Sequence, residues 1–235
     1  TDYYFDKGIM KTSDRVVFNT VILYVKIILN MLISLVSVPL ILRALGQSDY
    51  GLYNLIAGVV GMLSFLNASM SIATQRFLSV AIGENNREKL NTIYNSGICL
   101  HIIIGVVIVV GFEIAYLFLF NGFLNIPPGR ISSARIIYQF LVVSTFFTIL
   151  AVPYGAVLNA KENMLVFSII SVSESILKLL LAIYLLHCTN DRLIVYGFGL
   201  ALLAISVTFA NRFYVRFKYK EFSFSPKRYL KKDTF

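Results

Sequence analysis

Lys26 stands inside an apolar run, LYVKIILNMLISLVSVP at residues 23–39, with no acid within four residues of it. On a helical wheel of about 100° per residue, Arg15, Asn19, Lys26, Asn30 and Ser37 fall within one narrow arc, with Ser34 at its edge. A second stripe comprises Ser168, Ser171, Ser175 and Lys178, with Glu174 four residues before Lys178 in the favourable order for an ion pair. Shorter polar faces are expected at Ser64, Asn67, Ser71 and Gln75, and at Ser144, Thr148, Gly155 and Asn159, the latter beside a kink at Pro153. Ammonium, amide and hydroxyl groups in such rows hold an anion by charge and hydrogen bonds, but they do not make or break covalent bonds. No HExxH, GxSxG, DxD or paired-carboxylate cluster occurs, and His101 and His187 are far apart. Cys99 and Cys188 lack metal or redox spacing. The expectation is a protein that binds and moves something, with no enzyme activity, metal or cofactor.

The elements that must carry these stripes follow from composition. With 57% hydrophobic and 14% charged residues and a mean hydropathy of +0.76, the chain is too apolar for a soluble globular domain. A membrane helix needs about 20 apolar residues, and six stretches qualify: 16–42, 52–82, 93–120, 134–158, 164–187 and 193–211. The expected fold is therefore all-α and polytopic, with six transmembrane helices at residues 15–216, a segment at 1–14 before them and a basic tail at 217–235. The second stretch is long and rich in Gly, Ser, Ala and Asn, so it should pack closely on neighbours instead of facing lipid all round. Short polar connectors, ALGQSDYG, ENNREK, NGFLNIPPGR, NAKEN and TNDR, separate the spans.

The polar start TDYYFDKGIMKTSDR has no signal-peptide pattern. Six spans place both termini on one side, and basic residues choose which. Lys7, Lys11, Arg15, Arg76, Arg87, Lys89, Lys161 and the eight from Arg212 to Lys232 fall on that side, against Arg43, Arg130, Arg135 and Arg192 on the other. The positive-inside rule makes the first side cytoplasmic. The basic tail is read as a solvated segment against anionic lipid headgroups, with no nucleic-acid role.

A lysine at the centre of a membrane helix costs about 2.5 to 3.5 kcal/mol. Lys26 lies roughly 15 Å from the first turn of its helix, too deep to snorkel easily. Serines and asparagines can be satisfied in a dry helix interface, whereas a lone ammonium points to a water-filled cavity. Glu174 and Lys178 can line that cavity or simply neutralise each other. Arg76 and Glu113 are near enough to helix ends to reach headgroups, and His101 is read as a packing residue. A basic cavity suits a phosphate or pyrophosphate, above all one carried by a lipid whose tail stays in the bilayer.

The stretches LGQSDYGLYNLIAGVVGMLSFLNASMSIATQRFLS, LNIPPGRISSARIIYQF, VPYGAVLNAKENM and ESILKLLLAIYLL, in this order, resemble the bacterial polysaccharide flippases of the O-antigen and capsule type, within the multidrug/oligosaccharidyl-lipid/polysaccharide exporter superfamily. The likeness runs from about Arg15 to Tyr219. It implies one six-helix lobe of a two-lobe transporter of the bacterial inner membrane, which flips polyisoprenyl-pyrophosphate-linked oligosaccharide by alternating access. The implied partners are that lipid-linked oligosaccharide, membrane lipids and a second six-helix lobe. By the same resemblance Lys26 meets the pyrophosphate, and Arg76, within ATQRFLS, binds there or gates the inward mouth; Asn30 and Lys178, on the polar stripes, are the further candidates for that site. Glu174 is then the candidate for proton or sodium coupling. Family members often carry arginine where Lys26 stands, and lysine keeps the charge without the bidentate fork. Three readings compete: a drug or metabolite antiporter of the same superfamily, an intramembrane glycosyltransferase, and a half that does not transport.

Overall fold

The computed structural model describes residues 12–62 and 64–222, with the side chains of residues 12 and 64–68 left aside. The first eleven residues and the basic tail beyond Phe222 lie outside the described residues, as do the side chains of Ser64 and Asn67. The described residues form six α-helices: α1 (Thr12–Gly61), α2 (Ser64–Gly83), α3 (Arg87–Phe118), α4 (Ile131–Ala160), α5 (Met164–His187) and α6 (Arg192–Lys218). Among the described residues five helical stretches are long and apolar enough to cross a membrane, and α2 is not among them. The protein is an all-α, polytopic membrane protein.

The boundary between the first two expected spans differs from the sequence reading. Helix α1 continues past residue 42 to Gly46, where the backbone leaves helical angles (φ 78°, ψ 166°) in a region that glycine enters without a Cβ penalty. The second expected span, 52–82, is two pieces: the second arm of α1, residues 47–61, and α2. Fifteen residues of helix cover only about 22 Å, short of a bilayer core of about 30 Å. Helix α2 has the length but carries Ser69, Ser71, Thr74, Gln75 and Arg76. Helix α4, by contrast, runs unbroken from Ile131 to Ala160 through Pro153.

Two buried clusters fix the direction of each helix. One gathers Ile41, Leu45, Leu52, Ile56, Phe112, Leu119, Ile137, Tyr138, Leu185 and Leu193. The other gathers Leu78, Leu90, Tyr94, Tyr154, Val157, Val215 and Phe222, with Phe167 and Ile170 packed against it. Helices α3 to α6 each place one end in each cluster, so consecutive helices alternate in direction. The first cluster marks the kink end, beside Gly46, and the second marks the tail end, where the described chain stops. Helix α4 packs on α6, α2 and α3, and α1 packs chiefly on α5. Close approach at α6 depends on glycine: a Cβ at Gly197 would come within 2.7 Å of Ile137 on α4, and one at Gly199 within 2.5 Å of Leu181 on α5.

The connectors supply the caps that helix ends require. Asn86 accepts from the Lys89 N–H, Asn163 from that of Val166, and Asp191 from that of Leu193. At the tail end the Asn163 amide also donates to the hydroxyls of Tyr214 (2.9 Å) and Tyr219 (3.0 Å). Lys161 pairs with Glu221 there, and Phe222 is 2% exposed, so the chain leaving α6 folds back onto the end of the bundle.

Candidate functional site

The outward faces of the first arm of α1 are apolar: Val17, Val21, Val25, Ile28, Leu32, Leu35 and Val36 are all exposed. Its polar stripe is the packed face. Arg15, Asn19, Lys26 and Asn30 are half-buried and Ser37 is buried, while Ser34, at the edge of the arc, is exposed. That inversion is what a lipid environment demands, because polar groups there must find partners inside the protein.

The stripe lies against α5, and the two helices run parallel. The Lys26 ammonium sits 4.6 Å from the centre of the Phe167 ring, and four residues on the Asn30 amide donates to the Ser171 hydroxyl at 3.0 Å. At the kink end the first residue of α6 reaches the same arm, the Arg192 guanidinium donating to the Ala44 carbonyl at 2.9 Å. Phe167 also backs onto Gly155 of α4, where an added Cβ would lie 3.8 Å from its ring. A cation over an aromatic face gains about 0.5 to 2 kcal/mol, but the ring does not neutralise it. Among the described residues no acid pairs with Lys26. Asn30 Oδ1 and Ser168 Oγ, also on these stripes, are buried without a partner among the described residues.

The remaining expected site residues are not gathered around Lys26. Lys178 donates to Glu174 at 2.6 Å, as their spacing suggested. This pair is on the same edge of α5, but Lys178 is eleven residues beyond Phe167, about 16 Å along the axis. Arg76 is exposed on α2, two residues before Leu78 of the tail-end cluster, and α2 packs mainly on α4 and α3. A single phosphate cannot touch Lys26 and Lys178 together, whereas an extended headgroup could meet them in succession. His101 is 1% exposed and its Nδ1 lies 2.7 Å from the Gly97 carbonyl, which makes Nδ1 the protonated nitrogen. Glu113 accepts from the Gln139 amide at 3.3 Å.

Sequence reasoning missed two features. Phe167 gives no signal, being one aromatic among many on an apolar helix. The other is an ionic clamp at the kink end. Arg130 donates from Nε to Asp49 at 2.7 Å, pairs with the same carboxylate through Nη2, and donates from Nη1 to Asp191 at 2.9 Å. The Ser133 hydroxyl donates to Asp191 at 2.6 Å. Burial pushes the Asp191 carboxyl up, but the Ser133 hydroxyl, the Arg130 guanidinium and the Leu193 N–H outweigh it and hold the group below the usual carboxylate range. Arg192 adds bonds to the carbonyls of Ala44 and Cys188, tying the end of the first arm of α1 to α5 and α6.

Residues 16–234 match the family described as Polysaccharide biosynthesis protein. The chain is 23% identical over 182 residues to a protein of Bacillus subtilis (strain 168) described as uncharacterized membrane protein EpsK, an overlap covering 77% of this chain and 35% of that protein. Among solved structures it is similar to a multidrug resistance MATE family transporter of the MOP superfamily in an outward-facing conformation. That likeness has a TM-score of 0.72 at 16% identity and covers 89% of this chain and 49% of the other. The chain thus spans about a third of the curated relative and about half of the solved transporter.

Proposed function

From the premise that this chain belongs to the polysaccharide biosynthesis protein family and has the fold of MOP-superfamily transporters, we propose that it flips a polyisoprenyl-pyrophosphate-linked oligosaccharide across the bacterial inner membrane, as one lobe working with a second. The observation that carries this reading is Lys26: an ammonium deep in a membrane helix, resting on Phe167, with no acid paired to it among the described residues. An anionic cargo supplies the missing countercharge. Arg76, on α2, is the second cation for the diphosphate or for the mouth of the cavity. Asn30 and then Lys178 follow along the α5 face for the polar headgroup, with Glu174 available for proton or sodium coupling.

In this reading residues 15–216 are the membrane lobe and 217–235 the linker or tail. The tail end, with Lys89, Lys161, Arg212 and Arg216, faces the cytoplasm. The kink end, with Arg43, Arg130, Arg135 and Arg192, faces outward.

A drug antiporter is the second reading, favoured by the fold likeness to a multidrug transporter. A cationic drug calls for an acidic lining, and the deep charge on α1 is basic. The test is the amount of polyprenyl-pyrophosphate-linked oligosaccharide held in the inner leaflet of cells lacking the gene or carrying Lys26→Ala. Accumulation is expected in both, with flipping by Lys26→Ala reduced about ten- to hundredfold, and Lys26→Arg is expected to restore it. Absence of accumulation in the deletion would favour the antiporter, and full flipping by Lys26→Ala would remove the lysine from the site.

A further inference from the structure

Between α1 and α5, Lys26 is not the only group short of a partner. The Asn30 amide bonds Ser171 through one end, and its other end is buried without a partner among the described residues. Turning the amide over exchanges donor for acceptor toward Ser171 but still leaves one end unpaired. Ser168, 6% exposed, has a hydroxyl with no partner among the described residues. The other seam hydroxyls are satisfied: Ser175 donates to the Ser171 carbonyl, and Ser37 to the Ile33 carbonyl. On the α5 wheel Phe167, Ser171 and Ser168 fall within about 100°, with Ser171 between the other two. The unpaired hydroxyl therefore lies one turn from the Asn30 contact and beside the ring that carries Lys26.

Burying an unpaired polar group costs free energy, and three such groups on adjoining turns of two helices suggest a shared guest. An ammonium at the site repels a cation and attracts an anion. A phosphate group within reach of all three would satisfy each of them. The ammonium and the Ser168 hydroxyl donate to its oxygens. The Asn30 amide turns so that Nδ2 also donates to them while Oδ1 accepts from the Ser171 hydroxyl. We infer that Ser168 and Asn30 complete, with Lys26, a subsite for one phosphate group of an anionic ligand, and that Ser171 holds the Asn30 amide in its ligand-bound orientation. The inference rests on the proposed pyrophosphate-bearing cargo and assigns the α5 half of its site.

The experiment is thermal unfolding of the purified full-length protein in detergent, titrated with inorganic pyrophosphate and, in parallel, inorganic phosphate. The wild type is expected to gain stability with pyrophosphate, and Lys26→Ala to lose that gain. Ser168→Ala is expected to weaken pyrophosphate about ten- to hundredfold, while its unfolding temperature without ligand stays equal or rises, because an unpaired buried hydroxyl has been removed. Asn30→Asp, which places a carboxylate beside the subsite, is expected to weaken pyrophosphate at least as much. A merely structural hydroxyl gives the opposite pair of results, a lower unfolding temperature with unchanged affinity, and would overturn the subsite. If Lys26→Ala abolishes binding and Ser168→Ala does not, the inference about α5 fails and the cargo reading stands. If the wild type gains nothing from either anion, the cargo reading fails with it.

Discussion

The kink end and the middle of the α1–α5 seam are both built from charged and polar side chains, yet they are finished differently. At the kink end every participant has a partner: Arg130 lies between Asp49 and Asp191, Ser133 donates to Asp191, and Arg192 serves two carbonyls. In the seam an ammonium rests on a ring, and an amide end and a hydroxyl are left unpaired among the described residues. A completed network holds a fold together, whereas an incomplete one stores unmet demand that a ligand can satisfy. The same residue types thus mark a fastening in one region and a candidate site in the other.

That contrast can be broken by substitution. Removing the clamp cation with Arg130→Ala leaves Asp49 and Asp191 facing each other without a countercharge, and should lower stability by about 2 to 3 kcal/mol. The loss should show in thermal unfolding, while pyrophosphate affinity of the folded fraction stays within about twofold. A large loss of affinity with normal stability would mean that the clamp belongs to the site. A smaller effect is expected at the Glu174–Lys178 pair. Lys178→Met alone strands a carboxylate in the membrane and should reduce flipping several-fold, and Glu174→Gln with Lys178→Met should restore most of it if the two only neutralise each other. Failure of the double variant to recover would assign one of them to cargo or coupling.

The smallest effect is acid sensitivity at the clamp. The Asp191 carboxyl is held below its usual range, so its contribution is present at neutral pH and is lost only as pH falls below about 4. Asp191→Asn should flatten that acid limb of the unfolding curve and leave the neutral-pH response to Arg130→Ala visible. An unchanged acid limb would show that other carboxylates dominate it.

Much of the architecture was legible because the lipid environment imposes a simple rule. Apolar runs of sufficient length, broken by PPG, NAKEN and TNDR, located helices α3 to α6 and bounded α4 and α5 closely, whereas α3 starts at Arg87 and α6 runs on to Lys218 because their polar and basic ends are helical beyond the apolar run. The polar stripe on α1 was legible for a related reason, since polar residues confined to one arc of an apolar helix must face protein. The division of the second span was not legible, because a glycine-rich stretch is apolar enough to read as one helix while its backbone is free to break. Gly46 gave no warning either, since its need for positive φ belongs to the path between the two arms.

The sequence by itself determined that this chain lives in a membrane as a helical bundle, that α1 and α5 carry polar faces, and that a lysine sits deep in the first of them. Periodicity and hydropathy are local properties, and each helix displays them alone. Only the tertiary structure decided that α1 and α5 run parallel with Asn30 at Ser171, that Phe167 lies beneath Lys26, and that Asp49, Arg130 and Asp191 meet across 81 and 61 residues. Those pairings depend on which helix neighbours which and in what register, and that choice is made by close packing across the whole bundle, including the approach at Gly197 and Gly199.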